Sequence, residues 1–254
     1  MPRSRAPAAI NASRLTNGDM LEWVEWPDDP RHELVFENEH TRIYKAQFDA
    51  GQPCETLFHA HREDTVYACI SSEGPGGVVL NTEAVLSDDE LQAPLSLLPP
   101  APVSFTPGLC FCHLNKRRHK IHRIQTAPEN KGSLLFVGAE VLAPPRVASE
   151  APLAHPCYKL EAAQHPKARA YRVTVPPGGS TGPVDWGFCG VVVALSGRPA
   201  AAAAVLRGGP VLAPGDAFWF EGPVVAAEFT DGPGGGKGRQ EGAGAAELLV
   251  FEWL

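Results

Sequence analysis

The chain has 254 residues, which is enough for one large domain or two small ones. Its 29 acidic side chains outnumber its 22 lysines and arginines, so the formal net charge is −7. This balance argues against a protein that binds the phosphate backbone of nucleic acid, because such binding needs clustered lysines and arginines. No apolar run approaches the roughly 18 residues that a membrane-spanning helix needs. The 25 glycines and 25 prolines indicate many short strands joined by tight turns, and so an all-β fold.

Residues 1–30 are expected to form an N-terminal arm. Arg3, Arg5 and Arg14 precede the first acidic residue, Asp19, and organelle transit segments have a similar bias. We interpret the segment as an arm of biased composition, with organelle targeting left open. The six cysteines accompany no secretory hydrophobic stretch, which favours reduced thiols and a cytoplasmic protein.

A histidine motif stands in the segment LFHAHREDTVYACI, residues 57–70. Side chains two residues apart in a strand point the same way, so His59 and His61 share one face. Two imidazoles on one face can bind a single divalent metal, and neutral imidazole suits iron, zinc, copper and nickel. The alternative interpretation is a pair of surface histidines on an exposed strand.

Further histidines follow in FTPGLCFCHLNKRRHKIHRIQ, residues 105–125. They are His113, in a strand-like run, His119, beside a cluster of basic residues, and His122. The last of the nine histidines in the chain is His165, so the final third of the sequence has none. Candidate metal ligands are therefore concentrated in the first half of the chain.

The chain contains an internal repeat. RIYKAQFDAG at residues 42–51 matches RAYRVTVPPG at 169–178, and both alternate like half-buried strands before ending at a glycine. Three further matches follow in the same order: VYACISS with VVVALSG, FTPGLCF with LAPGDAF, and SLLFVGAEVL with ELLVFEWL. Their common order predicts two similar β units. We predict a first unit at 31–145, a Pro- and Ala-rich linker at 146–156 and a second unit at 157–254.

The order of these features resembles the cupin superfamily, in which a glycine-led H-x-H strand and a later histidine meet inside a small β barrel. Here Gly51 precedes the H-x-H strand, and the repeat makes the chain similar to a bicupin with a degenerate second barrel. The resemblance covers about residues 30–254. It implies two cupin-like double-stranded β-helix barrels, or jelly rolls, in tandem.

The resemblance also implies a ligand set in the first barrel. His59, His61 and His122 are the implied metal ligands, and His119 is the alternative to His122. His113 is expected near the barrel mouth. The implied cofactor is a divalent metal ion, with iron first and manganese, nickel or zinc as alternatives, or none if this site is degenerate too.

The carboxylate of the family motif has no counterpart at its usual place. Val66 occupies that position, while Glu63 and Asp64 lie nearer to the histidines, in a predicted turn. Either acid is a candidate metal ligand, and the alternative is that both are solvated. Without them the site resembles the three-histidine site of thiol dioxygenases. Tyr67, on the following strand, is the candidate catalytic residue, with core packing as its alternative.

The second unit has lost the H-x-H pair. Depending on the offset, the two histidine positions correspond to Trp186 and Phe188 or to Val184 and Trp186. Both alignments remove the imidazoles. The aromatic residues are predicted to fill the second barrel or its interface, so this barrel is expected to be a structural partner.

The resemblance implies a metal-dependent dioxygenase, with iron as the metal, acting on a small organic molecule. Two alternatives stay open because one fold supports many functions. One is a non-catalytic cupin that binds a small ligand or has a structural role. The other is an isomerase or lyase that uses the metal as a Lewis acid. The expected partner is a small molecule, with no nucleic acid and no membrane, and a homodimer is compatible with the family.

Overall fold

The computed structural model describes residues 9–49, 54–72, 77–85, 94–116, 120–127, 133–145, 148–162, 165–196, 199–201, 211–231 and 245–254. Throughout these ranges the regular structure consists of β-strands and one short 3-10 helix, Trp26–Asp28. The predicted all-β class is confirmed. The described ranges include no helix with the length and apolar character to cross a membrane.

Twelve strands precede residue 145 in the described ranges. In chain order they are β1 (Asn11–Arg14), β2 (Met20–Glu25), β3 (His32–Glu37), β4 (Thr41–Phe48), β5 (His59–His61), β6 (Thr65–Ser72), β7 (Gly77–Val85), β8 (Ser96–Leu97), β9 (Ala101–Phe105), β10 (Cys110–His113), β11 (Lys120–Thr126) and β12 (Leu134–Val141).

Nine further strands follow in the described part of the second unit. They are β13 (Tyr158–Leu160), β14 (Ala168–Val175), β15 (Val184–Trp186), β16 (Gly190–Ser196), β17 (Pro199–Ala201), β18 (Ala217–Phe220), β19 (Val224–Ala227), β20 (Phe229–Asp231) and β21 (Ala246–Trp253).

The first unit is built from two sheets that enclose a cavity. A seven-stranded sheet has the order β1-β2-β5-β11-β7-β8, with β9 also paired to β7. A five-stranded sheet has the order β3-β4-β12-β6-β10. Phe48 and Phe136 of the five-stranded sheet pack with Val79 and Ile124 of the seven-stranded sheet. Packing of two curved sheets over a shared interior is the jelly-roll arrangement that the resemblance to cupins implies.

The second unit repeats the five-stranded sheet, with the order β13-β14-β21-β16-β18. Strands β4 and β14 have the same burial pattern residue by residue, and so do β12 and β21. The two Pro-Gly turns also agree, because Gly108 has φ +81° and Gly215 has φ +89°. Residues with a side chain rarely adopt such angles. The matched segments of the sequence therefore fold alike.

Each unit has a cross-strand ion pair at the matching place in its five-stranded sheet. Arg42 on β4 lies opposite Glu140 on β12, with Nε 2.7 Å from Oε2. Arg169 on β14 lies opposite Glu252 on β21, with Nη1 3.2 Å from Oε1. Both glutamates are fully buried. Each arginine compensates a carboxylate that would otherwise be costly to bury.

The two units pack through the outer faces of their five-stranded sheets. Strand β6 shows how one sequence serves both faces, because Val66, Ala68 and Ile70 face the other unit while Tyr67 and Cys69 face the interior. Alternation with a period of two residues produces this division. The second unit supplies a complementary set of buried apolar side chains: Ala168, Ala170, Val191, Val193, Leu195, Leu249, Phe251 and Trp253.

The segment expected as an N-terminal arm contributes strands to the first barrel. Strand β2 runs parallel to β5, with Val24 opposite His59, and β1 pairs with β2 at the edge of the sheet. Leu21 and Val24 are buried in this arrangement. Burial of these apolar side chains holds β1 and β2 on the sheet. The part of the predicted arm between residues 11 and 25 is therefore part of the first barrel.

Candidate metal centre

Four histidines come together between the two sheets of the first barrel. They are His32 at the start of β3, His59 and His61 on β5, and His122 on β11. The ring centroid of His59 lies 4.7 Å from that of His32 and 4.5 Å from that of His122. The ring of His61 is 5.0 Å from His59 and 5.3 Å from His122. All four residues are buried.

The strand register explains three of these positions. His122 lies directly opposite His59 on the neighbouring strand, and His61 follows His59 by two residues, so all three point to the same face. His32 approaches from the five-stranded sheet instead, where it pairs with Ala46 of β4. The cluster therefore joins both walls of the barrel.

His32 and His59 each use Nδ1 to donate a hydrogen bond within the protein. Nδ1 of His32 lies 3.0 Å from Oδ1 of Asp29. Nδ1 of His59 lies 3.0 Å from the carbonyl oxygen of Leu57. Because a carbonyl and a carboxylate only accept, the ring proton sits on Nδ1 in both cases. Nε2 is left as the atom that can bind a metal.

His122 is held in the same tautomer through a short chain of hydrogen bonds. Its Nδ1 lies 2.9 Å from Oδ1 of Asn81, and Nδ2 of Asn81 donates to Glu83 at 2.7 Å. Since the Glu83 carboxylate accepts, the orientation of the Asn81 amide is fixed, and His122 must be the donor. Lys120 completes the chain, with Nζ 2.7 Å from Glu83.

His61 meets a pair of tyrosines. The Tyr44 hydroxyl donates to Tyr67 at 2.9 Å, and its oxygen lies 3.4 Å from Nδ1 of His61. Tyr44 can lie here because Gly138, opposite it on β12, has no side chain. A Cβ at Gly138 would come within 2.5 Å of the Tyr44 ring. The local sequence thus makes room for the group that contacts His61.

The free ring nitrogens fit a divalent metal. Nε2 of His59 and Nε2 of His122 are buried, and no atom of the described residues forms a hydrogen bond with either. Leaving two buried acceptors unpaired is costly unless a ligand takes them up. Donors of this kind, each oriented through its Nδ1 proton, are the usual arrangement of histidines that bind transition metals.

The electrostatics also suit metal binding. Burial, followed by the charge of His32, lowers the pKa of His59 to about 3. Burial and then the charge of His59 hold the pKa values of His61 and His122 well below their ordinary range. All three imidazoles are therefore neutral at neutral pH, which is the form that binds metals.

The structure brings together the three histidines that the resemblance implies and adds a fourth. The possible ligand atoms of His32, His59 and His61 all lie within 4.8 Å of one another, and His122 stands against two of these rings. Sequence reasoning missed His32 because no motif spacing connects it to the H-x-H pair. His119, the alternative to His122, lies outside the described residues.

The two candidate carboxylates have other partners. Oε2 of Glu63 lies 2.8 Å from Nζ of Lys116. Oδ1 of Asp64 accepts the backbone N–H of Lys116 at 2.8 Å, and its Oδ2 lies 3.1 Å from Nε2 of His165 in the second unit. Among the described residues that line the cavity, neither acid is present.

Val66 and Tyr67 divide between the two faces of β6. Val66, at the position of the family carboxylate, packs between the two units. Tyr67 faces the cavity, where its ring stacks on Phe111 with centroids 4.9 Å apart. Burial raises the pKa of Tyr67 to about 12. His113 also lines the cavity, 5.3 Å from the Tyr67 ring.

The histidine cluster lines a cavity of about 450 Å³, a volume typical of sites for small molecules. Most of its remaining wall is apolar: Ala46, Phe48, Val79, Val103, Phe105, Leu109, Phe111, Ile124 and Phe136. Its other polar side chains are Tyr44, Thr56, Tyr67, Asn81, Glu83, Ser104, His113 and Lys120. A mainly apolar pocket with a few polar groups is suited to orienting a small organic molecule.

The corresponding interior of the second barrel is filled. Trp186 packs against Phe188 and Phe220, with ring centroids 5.8 Å and 4.6 Å away, and Phe229 lies 5.7 Å from it. All four rings belong to one buried cluster. Aromatic packing has replaced the imidazoles there, as the alignment of the two units predicts.

No family model matches the sequence, and no curated protein matches it. Solved structures do. AerE from Microcystis aeruginosa is 10% identical over 97% of this chain and 98% of its own, with a TM-score of 0.50. Bacillus subtilis oxalate decarboxylase is 12% identical over 96% of this chain and 75% of its own, also at 0.50. A cupin domain from Bordetella pertussis Tohama I is 17% identical over 44% of this chain and 92% of its own, at 0.31.

Identities this low carry information about the fold alone. The first two likenesses extend over nearly the whole chain, as expected for a protein that contains two barrels. The predicted cupin fold is confirmed. What the chain does must be argued from its own residues, because the same fold supports unrelated functions.

Proposed function

We propose that this protein is a metal-dependent dioxygenase that binds one divalent ion, iron by preference, through histidines of its first barrel. The observation that carries the proposal is the pair of buried, unpartnered Nε2 atoms of His59 and His122. With His61 they form a set of neutral nitrogen donors beside a cavity for a small molecule. Nickel and zinc are alternative ions that imidazole also binds well, and manganese is a third alternative.

A bound iron would supply redox chemistry toward O₂, and any of the divalent ions would supply Lewis acidity. The protein contributes the environment. Phe48, Phe105 and Phe136 line the apolar part of the cavity and offer water no hydrogen-bond partner there. Exclusion of water strengthens polar interactions inside the cavity and prevents side reactions. The substrate class that fits is a small organic molecule with an apolar body and one or two polar groups.

Tyr67 is the proposed catalytic residue. Because Tyr44 donates to the Tyr67 oxygen, the Tyr67 proton is not used in that bond. Because its pKa is raised to about 12, the phenol stays protonated at neutral pH. It can therefore orient a substrate oxygen or donate a proton to it, but it does not act as a base.

Metal analysis of the purified protein tests the first part of the proposal. We expect a stoichiometric transition metal in the wild-type chain and its loss in His59→Ala. His155→Ala is the matched control, because His155 is partly exposed and lies in the linker region. Wild-type protein that contains no metal and takes up neither Fe²⁺ nor Zn²⁺ would refute the metal site.

Oxygen uptake by the iron-loaded protein tests the second part. The panel would contain small thiols, 1,3-diketones and aromatic diols, which cover different classes of apolar molecule with polar groups. We expect uptake with at least one class and none in His59→Ala. A metal-loaded protein that consumes no oxygen with any of them would contradict the dioxygenase and favour a ligand-binding cupin or a Lewis-acid enzyme.

A further inference from the structure

We propose that His32 is an additional metal ligand and that Asp29 holds it in place, so that the site consists of four imidazoles backed by one buried carboxylate. The proposal rests on the metal binding proposed above and specifies its ligand set. In it the carboxylate stands behind a histidine instead of binding the metal directly.

The position of His32 supports this assignment. It is the member of the cluster that comes from the five-stranded sheet, and its ring lies 4.7 Å from His59 and 5.7 Å from His61. Its possible ligand atom is within 4.8 Å of theirs. Because Nδ1 is bonded to Asp29, Nε2 is the nitrogen that His32 can offer.

Asp29 is built into the protein as a hub for two of the ligands. It is fully buried, and its Oδ1 accepts both the Arg31 backbone N–H at 2.8 Å and Nδ1 of His32. Its Oδ2 accepts the backbone N–H of Leu57 at 2.7 Å. The carbonyl of Leu57 in turn accepts Nδ1 of His59. One carboxylate therefore orients His32 directly and His59 through a single residue.

The hydrogen-bond partners of Asp29 do not neutralise its negative charge. Two backbone amides and one imidazole satisfy its hydrogen-bonding capacity, but none of these is a permanent cation. A buried carboxylate without a cation is costly. A divalent ion on His32 would polarise the imidazole, strengthen its Nδ1 hydrogen bond and offset the negative charge. Val66 places no negative charge at the position of the usual carboxylate ligand. Asp29 supplies a negative charge behind His32 instead, through its hydrogen bond to Nδ1 of that histidine.

Cobalt titration of the purified, metal-free chain tests the proposal. The variants are His32→Gln and Asp29→Asn, with His122→Gln as a positive comparison. His113→Gln is the matched control, because His113 lines the same cavity outside the cluster. The readouts are the Co²⁺ dissociation constant and the visible absorption spectrum of bound Co²⁺, with the fold of each variant checked by circular dichroism.

We expect His32→Gln and His122→Gln to change the absorption spectrum of bound Co²⁺. Each should also weaken Co²⁺ binding by about 10–100-fold or more, since loss of a residue that only supports a ligand already costs that much. Asp29→Asn should weaken binding within that range, because an amide cannot accept from donors on both sides. His113→Gln should leave both readouts unchanged. A His32→Gln protein with wild-type affinity and spectrum would overturn the proposal while leaving the metal site intact.

A measurement on the wild-type chain keeps the test valid if His32→Gln does not fold. Pulsed EPR of the Cu²⁺-loaded protein counts coordinated imidazoles through their remote nitrogens. Four imidazoles are the expected result, and three would refute the role of His32. If the wild-type chain binds neither Co²⁺ nor Cu²⁺ at the cluster, both the proposed function and this inference fail. If it binds the metal through three imidazoles, only the role of His32 fails.

Discussion

Nε2 of His165 in the second barrel lies 3.1 Å from Oδ2 of Asp64 in the first. The His165 side chain is completely buried, and Asp64 is nearly so. Asp64 also accepts the backbone N–H of Lys116, which anchors it from the other side. A residue that the sequence offers as a candidate metal ligand is thus placed where it joins the two barrels.

Removal of this contact should destabilise the chain. We expect His165→Ala to lower the free energy of unfolding by about 1–3 kcal/mol, because Asp64 is left buried with one oxygen unpaired. Urea unfolding at neutral pH measures the loss. Arg62→Ala is the control, since Arg62 pairs with Glu25 at the surface and such pairs contribute about 1 kcal/mol or less. An equal loss of unfolding free energy in both variants would show that the contact between His165 and Asp64 stabilises the chain no more than a surface ion pair does.

Glu63→Gln should retain its metal. The Glu63 carboxylate is engaged by Lys116 at 2.8 Å and is absent from the described lining of the cavity. We therefore expect metal content equal to that of the wild type, measured by elemental analysis beside His59→Ala. Loss of the metal in Glu63→Gln would show that Glu63 is a metal ligand, as the sequence allows.

Asn81→Ala should weaken metal binding without removing any ligand. Asn81 fixes the tautomer of His122, and loss of such a partner typically reduces affinity by about 10–100-fold. The measurement is a competition titration with a chelator. Gln125→Ala is the control, because Gln125 lies on the same strand as His122 but bonds to Glu55 at the surface. Unchanged affinity in Asn81→Ala would mean that His122 needs no support from this amide.

Tyr67→Phe should separate catalysis from metal binding. Once a substrate is found, we expect its turnover to fall by about 100-fold or more, as for the loss of a positioned proton donor. Metal content should not change, and the ring stacking on Phe111 is preserved. Tyr158→Phe, at a buried tyrosine of the second barrel, is the control. Full turnover in Tyr67→Phe would show that Tyr67 lines the cavity without taking part in catalysis.

His113 should make the metal-free chain sensitive to acid. Burial, reinforced by the charge of Lys120, lowers the pKa of His113 to about 4, whereas the ordinary value is 6.5. As the pH falls below 6.5 the unfolded chain binds a proton that the folded chain does not, so stability is progressively lost down to about pH 4. One such group contributes a slope of up to about 1.4 kcal/mol per pH unit.

Urea unfolding of metal-free wild type and His113→Gln at several pH values between 4 and 6.5 measures the contribution of His113 as the difference between their slopes. The difference is needed because the lowered pKa values of His59, His61 and His122 also contribute to the wild-type slope. His113→Gln should have a shallower dependence of the unfolding free energy on pH than the wild type. His155→Gln, at a partly exposed histidine outside the cavity, serves as the control variant. A slope that is the same in wild type and His113→Gln would show that His113 is protonated in the folded chain.

The sequence predicts those parts of the site that depend on local periodicity. His59 and His61 follow from a spacing of two residues in a strand, and the repeat predicts the shared frame of β4 and β14. His122 needs the family resemblance, since its place opposite His59 depends on which strands pair. These features survive in the structure because alternation along a strand is enforced by burial of one face.

His32 and Asn81 could not be predicted in this way. His32 reaches the cluster from the opposite sheet, so its proximity is a result of sheet packing and leaves no spacing in the sequence. Asn81 acts through a hydrogen bond between β7 and β11, and an asparagine in a strand has no pattern of its own. The same holds for Glu63 and Asp64, where the turn geometry decides which partner each acid finds.

Strand β6 makes the two barrels mechanically dependent on each other. Its odd-numbered side chain Tyr67 serves the cavity, while its even-numbered neighbours Val66 and Ala68 are pressed against the second barrel. The backbone that positions the catalytic candidate is thus supported from behind by a domain that has no histidine cluster of its own. Because the second barrel packs against the back of β6, substitutions in that barrel, far from the cavity, can shift the position of Tyr67.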